Sequence, residues 1–502
     1  MTIIAVGDFT PDAPAYLSSN LPEGASNTYP RTDGSDGPLR GPVAVSSAAM
    51  PGDIRGGFAP RGRDGDSYVI AGNTTSLKQM APTSWVARGD GYSVPEGGHW
   101  SFAQFGNLVI ATNGFDPVQS WTLGSSASFA PLAEGAPLAR YAAVVEPGFL
   151  MLGGIDSGDG FRGNAVAWSG INDATLWPTP GTTAALAAQS DEQELAIGGD
   201  VTGIVPAIGG AAAAIFSQKA IYRIDYVGPS AIFSFREVDR SHGCVCPNGI
   251  ASVNGRAFFI AEDGFYAFDG TTVSPVGSGK VDRFFWRLVD RTQLANVYCT
   301  VDVSRQLIIW AFPSTGSAYA NRWLLLNYST GRWRYGDDAA LAVSFLFPAR
   351  SISYTLEELD ALPAFQPDGI DTAGAPSLDS PLFIGGAPVM GGFAPSGALV
   401  GFDGDTLAAL MVTGETDSSG KRVLVTALRP LTDADAAEAG VISRETFGGI
   451  LVEHARTGMS AARVCPQRVS GRYVRGAIYI PKGTEWSYLQ GVDATMRPEG
   501  RR

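Results

Sequence analysis

The sequence predicts an all-β protein: a β-propeller with a β-sandwich-like platform module and an extended N-terminal arm. Three observations lead there. Short apolar runs rich in Ile, Phe, Tyr, Trp and Val alternate with Gly, Asp, Asn and Ser pairs, most clearly between Ala220 and Arg334, as closely spaced antiparallel strands joined by tight turns require. Strand-to-turn units recur, as in AIYRID ending at Asp225, GFYAFDG with Phe268, Asp269 and Gly270, and RWLLLNYSTGRW ending at Trp333. Units of about four strands recurring every several tens of residues are a propeller signature, here of roughly five to seven blades. After Thr413 the segments lengthen and alternate apolar with polar residues, the pattern of half-buried sandwich strands.

In chain order, residues 1–63 are dense in Gly, Pro, Asp and Ser and suggest an extended arm, ordered by what it lies against or forming part of the platform. Residues 64–412 carry the propeller. Within them Val281, Phe284, Phe285 and Leu288 share one face of a short helix, and Thr355 with Glu358 forms a capping box for a second. A Pro/Gly-rich connection is expected near 355–395. Residues 413–502 form the platform, with Thr432 capping a short helix that closes at Gly440. Phe268 and Trp333 belong in blade interiors. Asp225, Asp269 and Gly270 belong at strand ends, because Asp and Gly tolerate turn backbone.

The composition supports a large packed core: 45% hydrophobic and 17% charged residues, with 63 glycines and 32 prolines suited to many turns. A net charge of −13 argues against binding DNA by phosphate neutralisation. Residues 421–502 carry a local excess of Lys and Arg, a docking face for a partner or a chance solvated surface. Neither a secretory leader nor an apolar run of membrane-spanning length is evident. Four cysteines in 502 residues do not make a disulfide framework, and assembly in a cytoplasm is expected.

Chemistry-bearing motifs are few. His242, Cys244 and Cys246 would share one face if they lay on a strand and could hold zinc with Cys299. The adjacent Gly243 and Pro247-Asn248-Gly249 favour a turn with cysteines buried as small apolar residues, so no metal and no cofactor is expected. NAVAWSGINDATLW, from Asn164, is a turn with a packing tryptophan at Trp177 rather than a carbohydrate site. His99, His242 and His454 stand in unrelated contexts, and no Ser-His or Cys-His arrangement is suggested. No catalytic residue is assigned and no enzymatic activity is expected. The alternative is a carbohydrate-binding or glycoside-hydrolase propeller.

SQKAIYRIDYVGPSAIFSFREVDRSHGC, GRAFFIAEDGFYAFDGTTVSPVGSGKVDRFFW, the SLDSPLFIGG to LVGFDGDTL passage and YLQGVDATMRPEGRR resemble the tail nozzle proteins of short-tailed bacteriophages (podoviruses), also described as packaged-DNA stabilisation or head-closure proteins. The resemblance covers most of the chain from about Asn164. It implies a structural virion protein: a homo-oligomeric ring, six copies around the DNA channel below the portal and its adaptor. Such a ring retains the packaged genome, passes it during ejection and contacts tail fibre, spike or needle proteins. It implies double-stranded DNA passing without sequence-specific binding, and no catalytic residues. Which residues would line the DNA channel is not given by the sequence.

Overall fold

The computed structural model describes residues 2–13, 27–46, 48–81, 84–350, 356–360, 365–366, 368–372, 388–417, 421–446 and 448–499. Among these residues seven four-stranded antiparallel sheets follow one another along the chain, and the fold is an all-β propeller with these sheets as blades. Blade 3 is typical: Leu138–Val145, Phe149–Asp156, Phe161–Trp168 and Asp191–Glu194 pair in sequence order. Its second strand, FLMLGGID, is buried along nearly its whole length, since both of its faces pack against neighbouring blades. The first strands of blades 7 and 1, Phe345–Arg350 and Ile54–Phe58, lie against each other and close the circle.

Blade 7 is assembled from both sides of the ring. Phe345–Arg350, Pro388–Phe393 and Leu399–Gly401 supply three strands, and Val43–Ala44 pairs with Val400 and Gly401 as the fourth. The connection expected near 355–395 therefore ends in a strand from Pro388 onward. It lies inside blade 7, between the first and second strands, and not between blades. The helix expected there is present at Leu356–Asp360; Thr355 and the Glu358 side chain lie outside the described residues. The helix read from the Val281, Phe284, Phe285 and Leu288 face is Asp282–Leu288, with Phe284 and Phe285 buried.

Two further sheets face each other as a sandwich. In one, Thr28–Pro30, Asp36–Pro38, Leu489–Pro498, Val423–Thr432 and Cys465–Gly471 lie side by side, and Thr2–Ala5 also pairs with Leu489–Pro498. The other is built on Ala409–Val412, Tyr473–Ile480 and Glu438–Arg444. Val425, Leu428, Val441, Val469, Ile478 and Val492 fill the space between them.

Residues 1–63, expected as an arm or as part of the platform, do neither job alone. Up to Pro38 their strands belong to the platform, at 43–44 they complete blade 7, and from Ile54 they begin blade 1. The helix expected from Thr432 is absent: Val423–Thr432 is a strand, and Glu438–Arg444 begins another before Gly440. Thr432 still turns the chain, because its Oγ1 accepts the Ala434 N–H at 3.2 Å. Five residues between two long platform strands leave room for a turn only, so the sheet overrides the local helix signal.

Candidate functional site: the platform junction and the propeller axis

Platform and propeller share one continuous apolar core. It runs from Val425 and Ile478 in the sandwich through Val6 and Phe9 to Phe285, Trp310 and Trp333 in the outer part of the ring. Phe9 is fully buried; its ring stacks on Tyr335 at 5.7 Å and meets the Phe284 ring edge-on at 5.2 Å. Residues 6–12 thus form a strap between the two bodies. Val6 N–H donates to Gln490 O in the platform at 3.0 Å, and Phe9 N–H to Trp333 O in blade 6, which spans Tyr298–Gly336, at 3.3 Å.

Charges reinforce the strap. The Asp8 carboxylate accepts the Trp333 N–H at 2.6 Å and pairs with Lys280 at 3.0 Å. Asp12 accepts the N–H groups of Arg283 and Phe284, at 2.6 and 2.9 Å, filling open donor positions in the first turn of helix Asp282–Leu288. Burial raises the Asp12 pKa, and these bonds work against it. Deeper in, Asp36 of the platform and Arg334 of blade 6 are both fully buried and pair at 2.7 Å; Arg332 reaches the same carboxylate oxygen at 3.4 Å. Arg334 also donates to Gly7 O at 2.9 Å and Trp333 O at 2.8 Å. Burial pushes the Asp36 carboxyl up and the Arg334 charge opposes it, so this pair holds only while its hydrogen bonds are intact.

Phe268 and Trp333 are fully buried. Trp333 stacks on Trp310 at 5.6 Å and donates its indole N–H to Val276 O at 3.1 Å. Phe268 meets Phe216 of the preceding blade edge-on at 6.3 Å. Asp269 ends its strand as expected and caps a turn, accepting the Thr271 and Thr272 N–H groups at 2.9 and 2.8 Å; these bonds lower its pKa. Asp225 does not end a strand, because Ile221–Gly228 continues past it. Its carboxylate instead holds Arg223 Nε at 2.9 Å, and Arg223 donates to Gly270 O at 2.9 Å. Gly270, at φ +94°, lies against Gly209, whose Cα would be 2.7 Å from any added Cβ. The unit ends therefore tie blade 4, Val201–Asp239, to blade 5, Ala251–Pro275.

His242, Cys244 and Cys246 are not on a strand and do not converge. They lie in the irregular segment after Ile232–Asp239. His242 Nδ1 pairs with Asp239 at 3.0 Å, and its ring packs on Tyr266 at 4.5 Å. Cys244 and Cys246 are buried, and Cys244 donates to Cys246 O at 3.1 Å. Burial pushes the Cys244 thiol up to about 12, and raises Cys246 and Cys299 as well, whereas a metal needs thiolates. Among the described residues no three His, Cys, Asp or Glu side chains are grouped to hold a metal ion.

One pairing was missed from sequence. Ser443 Oγ lies 2.9 Å from His454 Nε2, although no Ser-His arrangement was expected. The hairpin that pairs Ile442 with Glu453 and Ser443 with Val452 creates it, and an eleven-residue separation carries no motif. Among the described residues no carboxylate hydrogen-bonds His454, so the orienting third group of a triad is not in place.

The second candidate is the propeller axis. Gly57 and Phe58, Ser101 and Phe102, Tyr141, Ile204, Cys299 and Phe347, from the first strands of six blades, line one cavity of about 320 Å³. A second of the same volume adjoins it, bounded by Glu96, Asn113, Phe115 and Ala295.

No protein-family model matches this chain. No curated protein matches it either. Among solved structures it is similar to a functionally unknown protein from Desulfotomaculum acetoxidans, at 14% identity over 60% of this chain and 89% of that one, with a TM-score of 0.36. A catalytically inactive virginiamycin B lyase from Staphylococcus aureus with quinupristin is 12% identical over 63% and 95% of the two chains, with a TM-score of 0.34. The extracellular domain of a hybrid two-component system from B. thetaiotaomicron is 10% identical over 64% and 44%, also with a TM-score of 0.34. Likeness at this level bears on neither activity nor partner.

Proposed function

We propose that this chain is a structural subunit of the tail nozzle of a short-tailed bacteriophage. Six copies would ring the DNA channel below the portal and adaptor, retain the packaged genome and pass it during ejection. The observation that carries this reading is the welded junction: one apolar core and the buried Asp36–Arg334 pair join propeller to platform, the two modules that the sequence resemblance implies. A wall that contains compressed DNA must transmit load without its parts rotating, and a continuous core does that better than a flexible linker. The net charge of −13 fits a surface along which DNA slides, because like charge removes the phosphate-binding contribution. The reaction catalysed is none; the work is mechanical.

Co-expression with portal and adaptor proteins, followed by electron microscopy, tests this directly. The expected result is a sixfold ring on the adaptor whose inner wall lacks a continuous Lys/Arg lining. A chain that stays monomeric beside assembled portal and turns over or binds glycans would replace this reading with the carbohydrate one.

A further inference from the structure

The outward face of the platform lies open. Val423–Thr432 runs between Cys465–Gly471 and Leu489–Pro498, and alternation along the strands sends Val425, Leu428, Val469 and Val492 into the sandwich and their neighbours out. Arg429, Arg468 and Arg497 are exposed on that outward face, and none of them has an ion-pair or hydrogen-bond partner among the described residues. Ile3, which pairs with Asp493 and is 71% exposed, adds an apolar point beside them. Arg422 and Arg472, at the end of the same strands, share Glu445 at 2.9 and 3.9 Å, and Ser470 donates to Glu499. Five arginines thus meet three carboxylates, Glu445, Asp493 and Glu499, on a chain whose net charge is −13.

The surface that complements this face is on blade 3. Its fourth strand, Asp191–Glu194, lies on the perimeter of the ring, and Arg162 is held there by Glu192 at 2.8 Å and Glu194 at 3.3 Å. Ser157 bonds Glu192 at 3.1 Å, which brings the turn carrying Asp156 and Asp159 to the same place. Four carboxylates therefore surround one arginine, and Phe161, 42% exposed, stands at the end of the turn. The platform is joined to blades 5 and 6, and blade 3 is three places from blade 6 in a ring of seven, on the opposite flank. One copy cannot bring its own two surfaces together, whereas copies placed head to tail do so. Two basic faces set against each other in a two-fold dimer would repel.

We propose that the outward platform face docks on the blade 3 rim of a second copy of this chain, with Ile3 and Phe161 as apolar points within the opposed charges. The contact rests on the nozzle reading and supplies what that reading lacks, the surfaces by which ring neighbours hold each other. Each copy keeps one surface of each kind free until the ring closes.

Sedimentation velocity on the full chain reads the contact. The unaltered chain should associate with rising concentration at low salt, and high salt should reverse this, because exposed charges are screened. Arg429→Glu with Arg468→Glu should weaken association about tenfold or more. Asp159→Arg with Glu194→Arg should do the same, since each pair of substitutions sets like charges together. Mixed in equal amounts, the two variants should associate as the unaltered chain does, because each then complements the other. A chain that stays monomeric at low salt, variants that associate undiminished, or a mixture that does not recover would overturn the proposal. So would loss of duplex DNA binding in the arginine variant with association unchanged, which would make the face a phosphate site. Should a double variant melt early, Arg497→Glu and Asp159→Arg take the same places in the mixing test. Electron microscopy with portal and adaptor separates this contact from the nozzle reading. A ring that forms equally from the unaltered chain and from either variant removes the contact and keeps the nozzle; charge-dependent association without a ring on the adaptor keeps the contact and removes the nozzle.

Discussion

Replacing Arg334 by Met asks how much the junction depends on one buried ion pair. The substitution keeps length and apolar bulk but removes the donors to Asp36, Gly7 and Trp333. Asp36 has no solvent exposure, so its charge would be left with Arg332 alone, at 3.4 Å. Breaking a buried pair from one side costs about 3–5 kcal/mol. The pH dependence has a definite sign. Burial already raises the Asp36 pKa and Arg334 opposes that rise, so the variant raises it further. A carboxyl with a raised folded-state pKa stabilises the fold below its unfolded pKa, and that stability is lost as pH climbs through the folded value. The damage should therefore be smallest near pH 4 and largest at pH 8. Urea unfolding followed by tryptophan fluorescence reads it, since Trp333 adjoins the substitution, and a split transition would show platform and ring separating. Asp36→Leu with Arg334→Met removes both charges and should recover at least half of the loss. A single-variant loss below about 1 kcal/mol at pH 8, or a double variant no better than the single one, would refute the assignment of the junction to this pair.

Phe9→Ala should destabilise by about 3–5 kcal/mol, measured by the same unfolding, because its buried ring bridges Phe284 and Tyr335. Asp282→Asn should stabilise the protein above pH 6 by about 1–2 kcal/mol and change little near pH 4: burial, with Asp12 and Asp263 nearby, raises the Asp282 pKa to about 6, and the amide oxygen can still accept the Phe265 N–H. Thermal melts across pH 4–8 give the comparison. Deleting residues 1–38 should yield insoluble or protease-sensitive chain rather than a folded, non-assembling subunit, because it removes three platform strands and the strap; limited proteolysis distinguishes the two.

The blades were legible because their information is local. Asp269 and Asn327 each follow a buried strand and bond the N–H groups two and three residues on, so strand and turn are written side by side. The junction was not legible, because its partners are far apart in sequence. Thr2–Ala5 pairs with residues 491–494, and Asp36 meets Arg334 across 298 positions. TYP and DGP, at 28–30 and 36–38, are too short and too Gly/Pro-rich to read as strands. They pair with each other, and Asp36 pairs with Leu489 from the other end of the chain. The same distance explains why composition suggested an arm: at Thr2–Ala5, Asp36 and Val43–Ala44 the segment pairs with strands from the far end of the chain, and such pairings leave no local periodicity. That arrangement has a mechanical consequence. The chain enters through the platform, closes blade 7 at Val43–Ala44, travels the ring and returns to the platform, so pulling the modules apart must first break sheet pairing at both ends of the chain. Chain closure and the buried junction thus resist the same displacement, and only a load large enough to unzip strands could separate ring from platform.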